Sequence, residues 1–248
     1  MTEADFLQNY DPEAFARLAV TVDLVLLAVD EGRLVALLQK RDAHPDQGKY
    51  ALPGGFVGEE EGLDEAARRV LESKAKLGRV WLEQLYTFGE PKRDPRMRIV
   101  TVAYFALMPV KRLQEAADRD PNLILAALEL DEVAAANKAE LSALSPDGQP
   151  VQLAFDHANI LKQSLIRLRG KLDYAPIAFP LLPARFTLRE LQEVHEAILG
   201  RSLTKPAFRR RMLDQGWIEA TGEFETGSAY RPAELYEFNA SKGDTSWL

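Results

Sequence analysis

The sequence predicts an α+β chain in two parts: an α/β mixture built mostly on hairpins over residues 1–170, and a smaller domain of two helices and a hairpin over residues 171–248. Three observations predict it. Two β-rich runs, 18–29 and 34–40, flank Asp30-Glu31-Gly32, a turn signal between strands. The pair Gly54-Gly55 stands between a short strand and a stretch, 64–76, whose apolar residues Ala66, Ala67, Val70 and Leu71 fall at helical spacing. Nearer the C-terminal end, two helical patterns meet across Gly200-Arg201-Ser202-Leu203, and two β-rich runs follow them.

Composition fits this division. A chain of 248 residues, 46% hydrophobic and 28% charged, has globular composition and room for one large or two modest domains. The opening "MTEADFLQNYDPEAF" has no basic end followed by an apolar stretch, and no apolar run reaches bilayer length. A soluble cytoplasmic protein without membrane contact is expected. The lack of cysteine excludes disulfides, thiolate catalysis and thiolate metal sites. A net charge of −7 argues against indiscriminate nucleic-acid binding, yet an average can hide a local basic surface.

Along the chain, "VWLEQLYTF" and "IVTVAYFAL" are β-branched and aromatic strands joined by the basic loop "GEPKRDPRMR". Within 110–150, "PNLILAALELDEVAAANKAEL" reads either as helix or as strand followed by helix. Residues 153–168 repeat apolar side chains every three or four positions and meet Arg169-Gly170, a helix stop that puts the domain boundary near Gly170. The three prolines of "DYAPIAFPLLPARF" suppress regular structure and fit a connection running over the surface. Beyond it, Leu188, Leu191, Val194, His195 and Ile198 share one helix face, with Thr187 as cap and Gly200 as stop. His195, with no acid or histidine partner at useful spacing, reads as a packed core residue. Thr204 caps a second helix to about Gln215, in which Phe208 and Met212 face inward. Residues 217–221 and 233–238 complete a hairpin.

"GGFVGEEEGLDEAARRVLESKAKL" carries the first functional signal. Its glycine turn and helix resemble the motif of Nudix hydrolases through Gly55, Glu61, Arg69, Leu71 and Leu77, with "ALPGGFV" in front. Where that family places three glutamates, this chain has Val70, Ser73 and Lys74, and Lys76 stands where a glycine is usual. The three positions lie at i, i+3 and i+4, on one helix face. Diphosphate cleavage needs carboxylates there to hold a hard cation that neutralises phosphate charge and activates water. Lys74 opposes a dication, so no catalytic residue, metal site or cofactor is expected. Lys74 is either a solvated surface lysine or a permanent cation for a phosphate that is bound and not cut.

Other residues could shape a ligand pocket. Lys40 and Arg41 end a strand, and "FGEPKRDPRMR" brings Lys92, Arg93, Arg96 and Arg98 near Phe88. Cations beside glycine-rich backbone suit a diphosphate, and an aromatic face suits a base. The resemblance raises Arg41 and Phe88, because Nudix proteins handling ADP-ribose recruit residues from these regions. The candidate ligand residues are Arg41, Gly54, Gly55, Phe56, Lys74, Phe88, Arg93 and Arg96.

The second signal is basic. From Arg201 to Arg211 there are five cationic residues and no acid. Lys205, Arg209 and Arg210 point away from the Phe208/Met212 stripe and Arg211 flanks it, a geometry for a major groove, with arginines on phosphates. With Tyr230 and Arg231 near the hairpin tip, the segment resembles a winged helix-turn-helix domain. The candidate DNA-binding residues are Arg201, Thr204, Lys205, Arg209, Arg210, Arg211, Tyr230 and Arg231.

Together with "LAFDHANIL", "RLRGKLDYAPIAF" and "FTLRELQEVHEAILGR", these features resemble Nudix-related transcriptional regulators of the NrtR kind over nearly the whole chain. The resemblance implies a Nudix fold, a mixed sheet between helices, with a C-terminal winged helix-turn-helix domain. It also implies a homodimeric bacterial regulator, usually a repressor of NAD synthesis or salvage genes, that binds palindromic double-stranded operator DNA and is released by ADP-ribose or a related NAD metabolite. Relatives on the same plan sense sugars or sugar phosphates. The competing expectation is an active hydrolase using Glu59, Glu60, Glu61, Glu65 or Glu72, and a third is a protein-interaction module.

Overall fold

The computed structural model describes residues 2–133, 138–226 and 232–241. Helix α1 (Glu3–Asn9) buries none of its residues and precedes the sheet. Strands β1 (Ala19–Asp30) and β2 (Arg33–Lys40) form the expected hairpin. Asp30 pairs with Arg33 across Glu31 and Gly32, at φ 46° and 73°. Two left-handed turn residues match the twist of the paired strands, which is why glycine closes this turn.

Then come β3 (Tyr50–Ala51), β4 (Gly54–Phe56), α2 (Leu63–Ser73), β5 (Glu83–Phe88) and β6 (Ile99–Leu107). They are followed by α3 (Val110–Arg119), β7 (Leu123–Val133), β8 (Lys138–Leu144) and α4 (His157–Lys171). The sheet runs β5-β6-β1-β2-β7-β8, with β3 on β2 and β4 on β1; β1 and β6 are parallel and the other pairs antiparallel. Both faces of β1 are covered. Leu24, Leu26 and Ala28 join α2 and α3 in one core, while Val25 and Leu27 join α4 in the other. Double burial makes the strand nearly continuous apolar sequence.

Helix α2 buries Ala66, Ala67, Val70 and Leu71 as the spacing requires, but it ends at Ser73, short of 76. The chain reverses at Lys76, φ 56°, and the Leu77 N–H donates to the Leu71 carbonyl at 3.2 Å. Between 110 and 150 the strand is followed by a second strand, where the sequence left a helix open. Alanine and leucine favour helix locally, but β7 is paired to β2 from Val35/Ala127 to Gln39/Leu123 and buries Leu123, Ala126, Ala127 and Leu128. Tertiary pairing overrides weak local propensity. Helix α4 begins at His157 and passes through Gly170 to Lys171, so Arg169-Gly170 is not its stop.

The proline-rich connection is not a surface strap. Ile177, Ala178, Phe179, Leu181, Leu182 and Phe186 are all buried. The Phe179 ring lies 4.6 Å from Phe238, 5.7 Å from Phe186 and 6.5 Å from Trp217. Proline excludes regular helix and strand, but the apolar residues between still leave water, and they fill the seam between the two parts. The core above α4 thereby continues into the C-terminal part.

That part consists of β9 (Phe186–Thr187), α5 (Leu188–Leu199), α6 (Lys205–Gln215), β10 (Ile218–Phe224) and β11 (Glu234–Phe238), its strands ordered β10-β11-β9. Thr187 and Glu190 cap α5 reciprocally: Thr187 Oγ1 accepts from the Glu190 N–H at 3.1 Å, and Glu190 Oε2 accepts from the Thr187 N–H at 2.7 Å. Thr204 occupies the cap position of α6 without a side-chain bond. The expected wing residues Tyr230 and Arg231 lie outside the described residues.

His195 is a core residue, 2% exposed, with Nδ1 at 2.8 Å from the Leu191 carbonyl and its ring 5.0 Å from Phe208. Burial pushes its pKa down to about 4. The unfolded chain, titrating near the ordinary 6.5, binds the extra proton first as pH falls. His195 is therefore expected to remove up to about 3 kcal/mol of stability between pH 6.5 and 4 and to have no such effect above pH 6.5. Urea denaturation of His195→Leu beside the wild type should show a shallower acid loss in the variant; parallel curves would refute the assignment.

Candidate functional site

A cleft of about 290 Å³ opens at the end of the sheet where β1, the Gly54-Gly55 turn and the start of α4 meet. Asp23 comes from β1 and is 6% exposed; its parity places it on the α4 face, opposite Leu24. Its Oδ2 accepts from Thr101 Oγ1 at 2.7 Å and lies 3.6 Å from Arg93 Nη2. Arg93 donates twice to Asp156, Nε to Oδ2 at 2.9 Å and Nη2 to Oδ1 at 2.7 Å. His157 Nδ1 accepts the Leu52 N–H at 2.9 Å, so the neutral ring carries its proton on Nε2, which is 3.8 Å from Asp23 Oδ1. Burial pushes the His157 pKa below its ordinary value. This buried polar network forms the floor.

The glycine turn is required by that floor. A Cβ on Gly54 would stand 2.1 Å from Asp23 Oδ1 and 2.9 Å from the Val22 carbonyl, and one on Gly55 would stand 3.1 Å from Val70 Cγ2. Thr101 pins the carboxylate, so it has little room to yield. Gly54→Ala is expected to cost roughly 1 to 3 kcal/mol by overpacking. A thermal midpoint unchanged from the wild type would show that the turn relaxes instead.

The three motif positions have three fates. Val70 is fully buried under the turn, and Ser73 Oγ turns back to donate to the Arg69 carbonyl at 2.6 Å. Lys74 alone reaches the cleft, its Nζ donating to the Gly54 carbonyl, and burial of the ammonium pushes its pKa down. The nearby glutamates brace the loop: Glu61 accepts from Arg69 Nε at 2.9 Å and from the Gly58 N–H at 2.8 Å, and Glu65 accepts from the Gly62 N–H at 2.9 Å. Among the described residues, no group of three or more His, Asp or Glu could hold a metal ion.

Arg41, Gly54, Gly55, Phe56, Lys74, Arg93 and Arg96 all line the cleft. Arg93 does so with its charge already taken up by Asp156 and Asp23. Phe88 does not line it. Its side chain enters the core on the α4 side, 6% exposed and edge-on to Tyr86 at 5.4 Å; Asp23 stands on the same face, and what separates Phe88 from the cleft is its place on β5, the edge strand beyond β6. The aromatic groups at the cleft are Phe56 and Phe155. Sequence reasoning missed Asp23, Asp94, Phe155 and His157; of these only Asp23 left a signal, as the one charge inside the apolar run 18–29.

On α6, Lys205, Arg209 and Arg210 are exposed, with Arg201 and Thr204 exposed just before the helix; Arg210 stands opposite buried Phe208 and Met212, Arg209 flanks them, and Lys205 lies one turn before Phe208 on its own side and not on the far face. Arg211 departs from the expected open face. Its Nη1 lies 3.1 Å from Asp173 Oδ1, and its guanidinium sits 5.8 Å from the Phe208 ring, so it belongs to the seam with the connection after α4. At the other end of that seam Arg169 Nε donates to the Ile198 carbonyl at 2.9 Å.

The family model for the Nudix domain matches residues 17–147, and that for the NrtR DNA-binding winged helix domain matches residues 178–238. An Acinetobacter baylyi protein described as an ADPR responsive transcriptional repressor, NtrR, is 38% identical over 239 residues, covering 96% of this chain and 88% of that one. The chain belongs to the NrtR family. Shewanella oneidensis NrtR, solved in complex with a 27mer DNA, superposes with a TM-score of 0.71 at 32% identity, over 90% of this chain and 94% of that one. A MutT/nudix family protein from Enterococcus faecalis superposes at 0.73 with 27% identity, over 96% and 94%. These matches bear out the expected combination of a Nudix fold and a winged helix. Among the described residues, no helix is long and apolar enough to cross a membrane.

Proposed function

We propose that this NrtR-family chain is a transcriptional repressor whose Nudix part, residues 1–170, binds ADP-ribose or a related NAD metabolite without hydrolysing it, and whose winged helix, within 171–248, reads operator DNA as a homodimer. The observation that carries the reading is Lys74: where a Nudix hydrolase holds metal carboxylates, this cleft presents an ammonium anchored to the glycine turn, beside Arg41 and Arg96. Fixed cations at a glycine turn stabilise a bound diphosphate but supply neither a metal seat nor an activated water. The response of the Acinetobacter relative to ADPR supports the choice of effector, and the basic face of α6 supports DNA as partner.

Release requires only that the effector bind the DNA-incompetent arrangement better; a tenfold preference corresponds to about 1.4 kcal/mol. Two winged helices in a dimer fit a palindrome with half-sites about one or two helical turns apart. The regulated genes on this reading serve NAD synthesis or salvage. A band-shift titration on DNA from the chain's own genomic neighbourhood tests it: retardation at moderate salt, reversed by ADP-ribose, is the expected result. In parallel, ADP-ribose incubated with Mg²⁺ should stay intact. Turnover at ordinary enzymatic rates would replace the sensor by a hydrolase.

A further inference from the structure

Two side chains of α6 converge on Asp173, in the turn that follows α4. Arg211 Nη1 lies 3.1 Å from its Oδ1, and Gln215 Nε2 donates to its carbonyl at 3.3 Å. Arg211 and Gln215 stand four apart and share one side of the helix. Neither is fully used by these bonds. Among the described residues, the buried side-chain atoms without a hydrogen-bond partner are Arg211 Nε, Arg211 Nη2 and Gln215 Oε1. Buried polar groups are nearly always paired, so orphans gathered at one seam point to an arrangement that satisfies them.

That arrangement is within reach of the same two residues. Nε and Nη2 form the donor edge with which Arg93 grips Asp156 and Arg96 grips Asp94. Gln215 Oε1 is an acceptor one helical turn from the corresponding edge of Arg211. When Arg211 turns that edge to Gln215, the orphaned atoms pair with one another and Asp173 loses its hold on α6. Each setting leaves something unpaired: in this structure the buried atoms, in the other the Asp173 carboxylate, which is 80% exposed and is solvated instead. Two settings of comparable cost form an equilibrium that a ligand can shift.

We propose that Asp173, Arg211 and Gln215 are a latch that sets the tilt of the recognition helix, and that ADP-ribose acts by favouring its open setting, with Arg211 on Gln215. In the closed setting of this structure α6 is a fixed reading head, which a palindrome with set half-site spacing requires. Once opened, α6 must be ordered again on the operator, and that ordering weakens binding. Arg169 holds α5 through the Ile198 carbonyl, so the latch governs the tilt of α6 and not the attachment of the whole winged helix. The 15 residues of α4, about 22 Å of helix, separate the latch from His157 at the cleft, so its members act on the effector only through the fold. The inference rests on the reading of the chain as a repressor released by ADP-ribose.

Calorimetric titration of the full chain with ADP-ribose, without DNA, tests it, because a shift of the latch carries over into effector affinity. Asp173→Ala removes the closed partner, and Gln215→Glu gives Arg211 a charged open one. Both are expected to tighten ADP-ribose binding about two- to fivefold, the range set by an exposed ion pair, and to weaken effector-free operator binding by a similar factor. Gln215→Met removes the open acceptor while Arg211 keeps Asp173, and is expected to weaken ADP-ribose binding to a like extent. A merely structural role would leave effector affinity at the far end of α4 unmoved. Wild-type ADP-ribose affinity in both Asp173→Ala and Gln215→Glu, or tighter binding in Gln215→Met, would overturn the latch while leaving the sensor standing. A wild-type chain that binds no ADP-ribose would overturn the sensor and the latch together, and is recognised without any variant.

Discussion

Replacing Arg209 and Arg210 together by alanine is expected to weaken operator binding about tenfold or more and to flatten the plot of log affinity against log salt by roughly two units per protomer, roughly four for the dimer. Each arginine that neutralises a phosphate releases condensed counterions, so lost contacts appear in the slope as well as in the affinity. Both residues are exposed on α6, and the Arg210 side chain is 86% exposed, its ion pair with Asp214 a loose 3.6 Å contact. Exposed pairs of that kind contribute little to stability, so the double variant should fold normally. Arg211→Ala is the informative contrast. Its guanidinium faces Asp173 and Phe208, so it should loosen the seam between the parts without changing the salt slope. An unchanged slope in the Arg209/Arg210 variant would move the DNA surface elsewhere.

The largest effect on stability is expected at Arg93. Its side chain is 5% exposed, and it is the cation between Asp156 and Asp23. Arg93→Ala leaves two carboxylates without their counter-charge in a poorly hydrated floor, and removing one partner of such a buried set costs about 3 to 5 kcal/mol. Urea denaturation at pH 7 measures the loss directly. Arg93→Met combined with Asp156→Leu should recover only the share owed to Asp156, because a buried pair replaced by apolar groups of similar size is often neutral while Asp23 still lacks its cation. A loss below about 1 kcal/mol in Arg93→Ala would mean that water already reaches the network.

What could be read from the sequence was what short-range rules encode. The β1–β2 hairpin followed from two residues able to turn left-handed, and the buried stripe of α2 from spacing alone. The glycine turn and the substitutions at Val70, Ser73 and Lys74 were legible because the motif is contiguous. The cleft floor was not, since Asp23, Arg93 and His157 come from distant parts of the chain and meet only through sheet order. Phe155 precedes a helix in an unremarkable stretch, and only the fold shows two guanidiniums over its ring. Phe88 was placed in the cleft by its neighbours in sequence, and the sheet order put it on the edge strand β5, packed in the α4-side core away from β1. The buried connection carried a misleading signal, since proline reports the absence of regular structure and says nothing about contact with water.

Helix α4 gives that buried connection a genetic consequence. It starts at the cleft floor with His157, packs Leu165 and Leu168 into the core that continues to α5 and α6, and stops beside Asp173, the partner of Arg211. Three kinds of loss should therefore be separable in a mutant screen: chains deaf to effector, chains blind to operator, and chains that bind both but no longer relate one to the other. Substitutions of the third kind should fall along α4 and the Phe179 seam, far from either ligand, and in a cell they would act as dominant, permanently closed alleles.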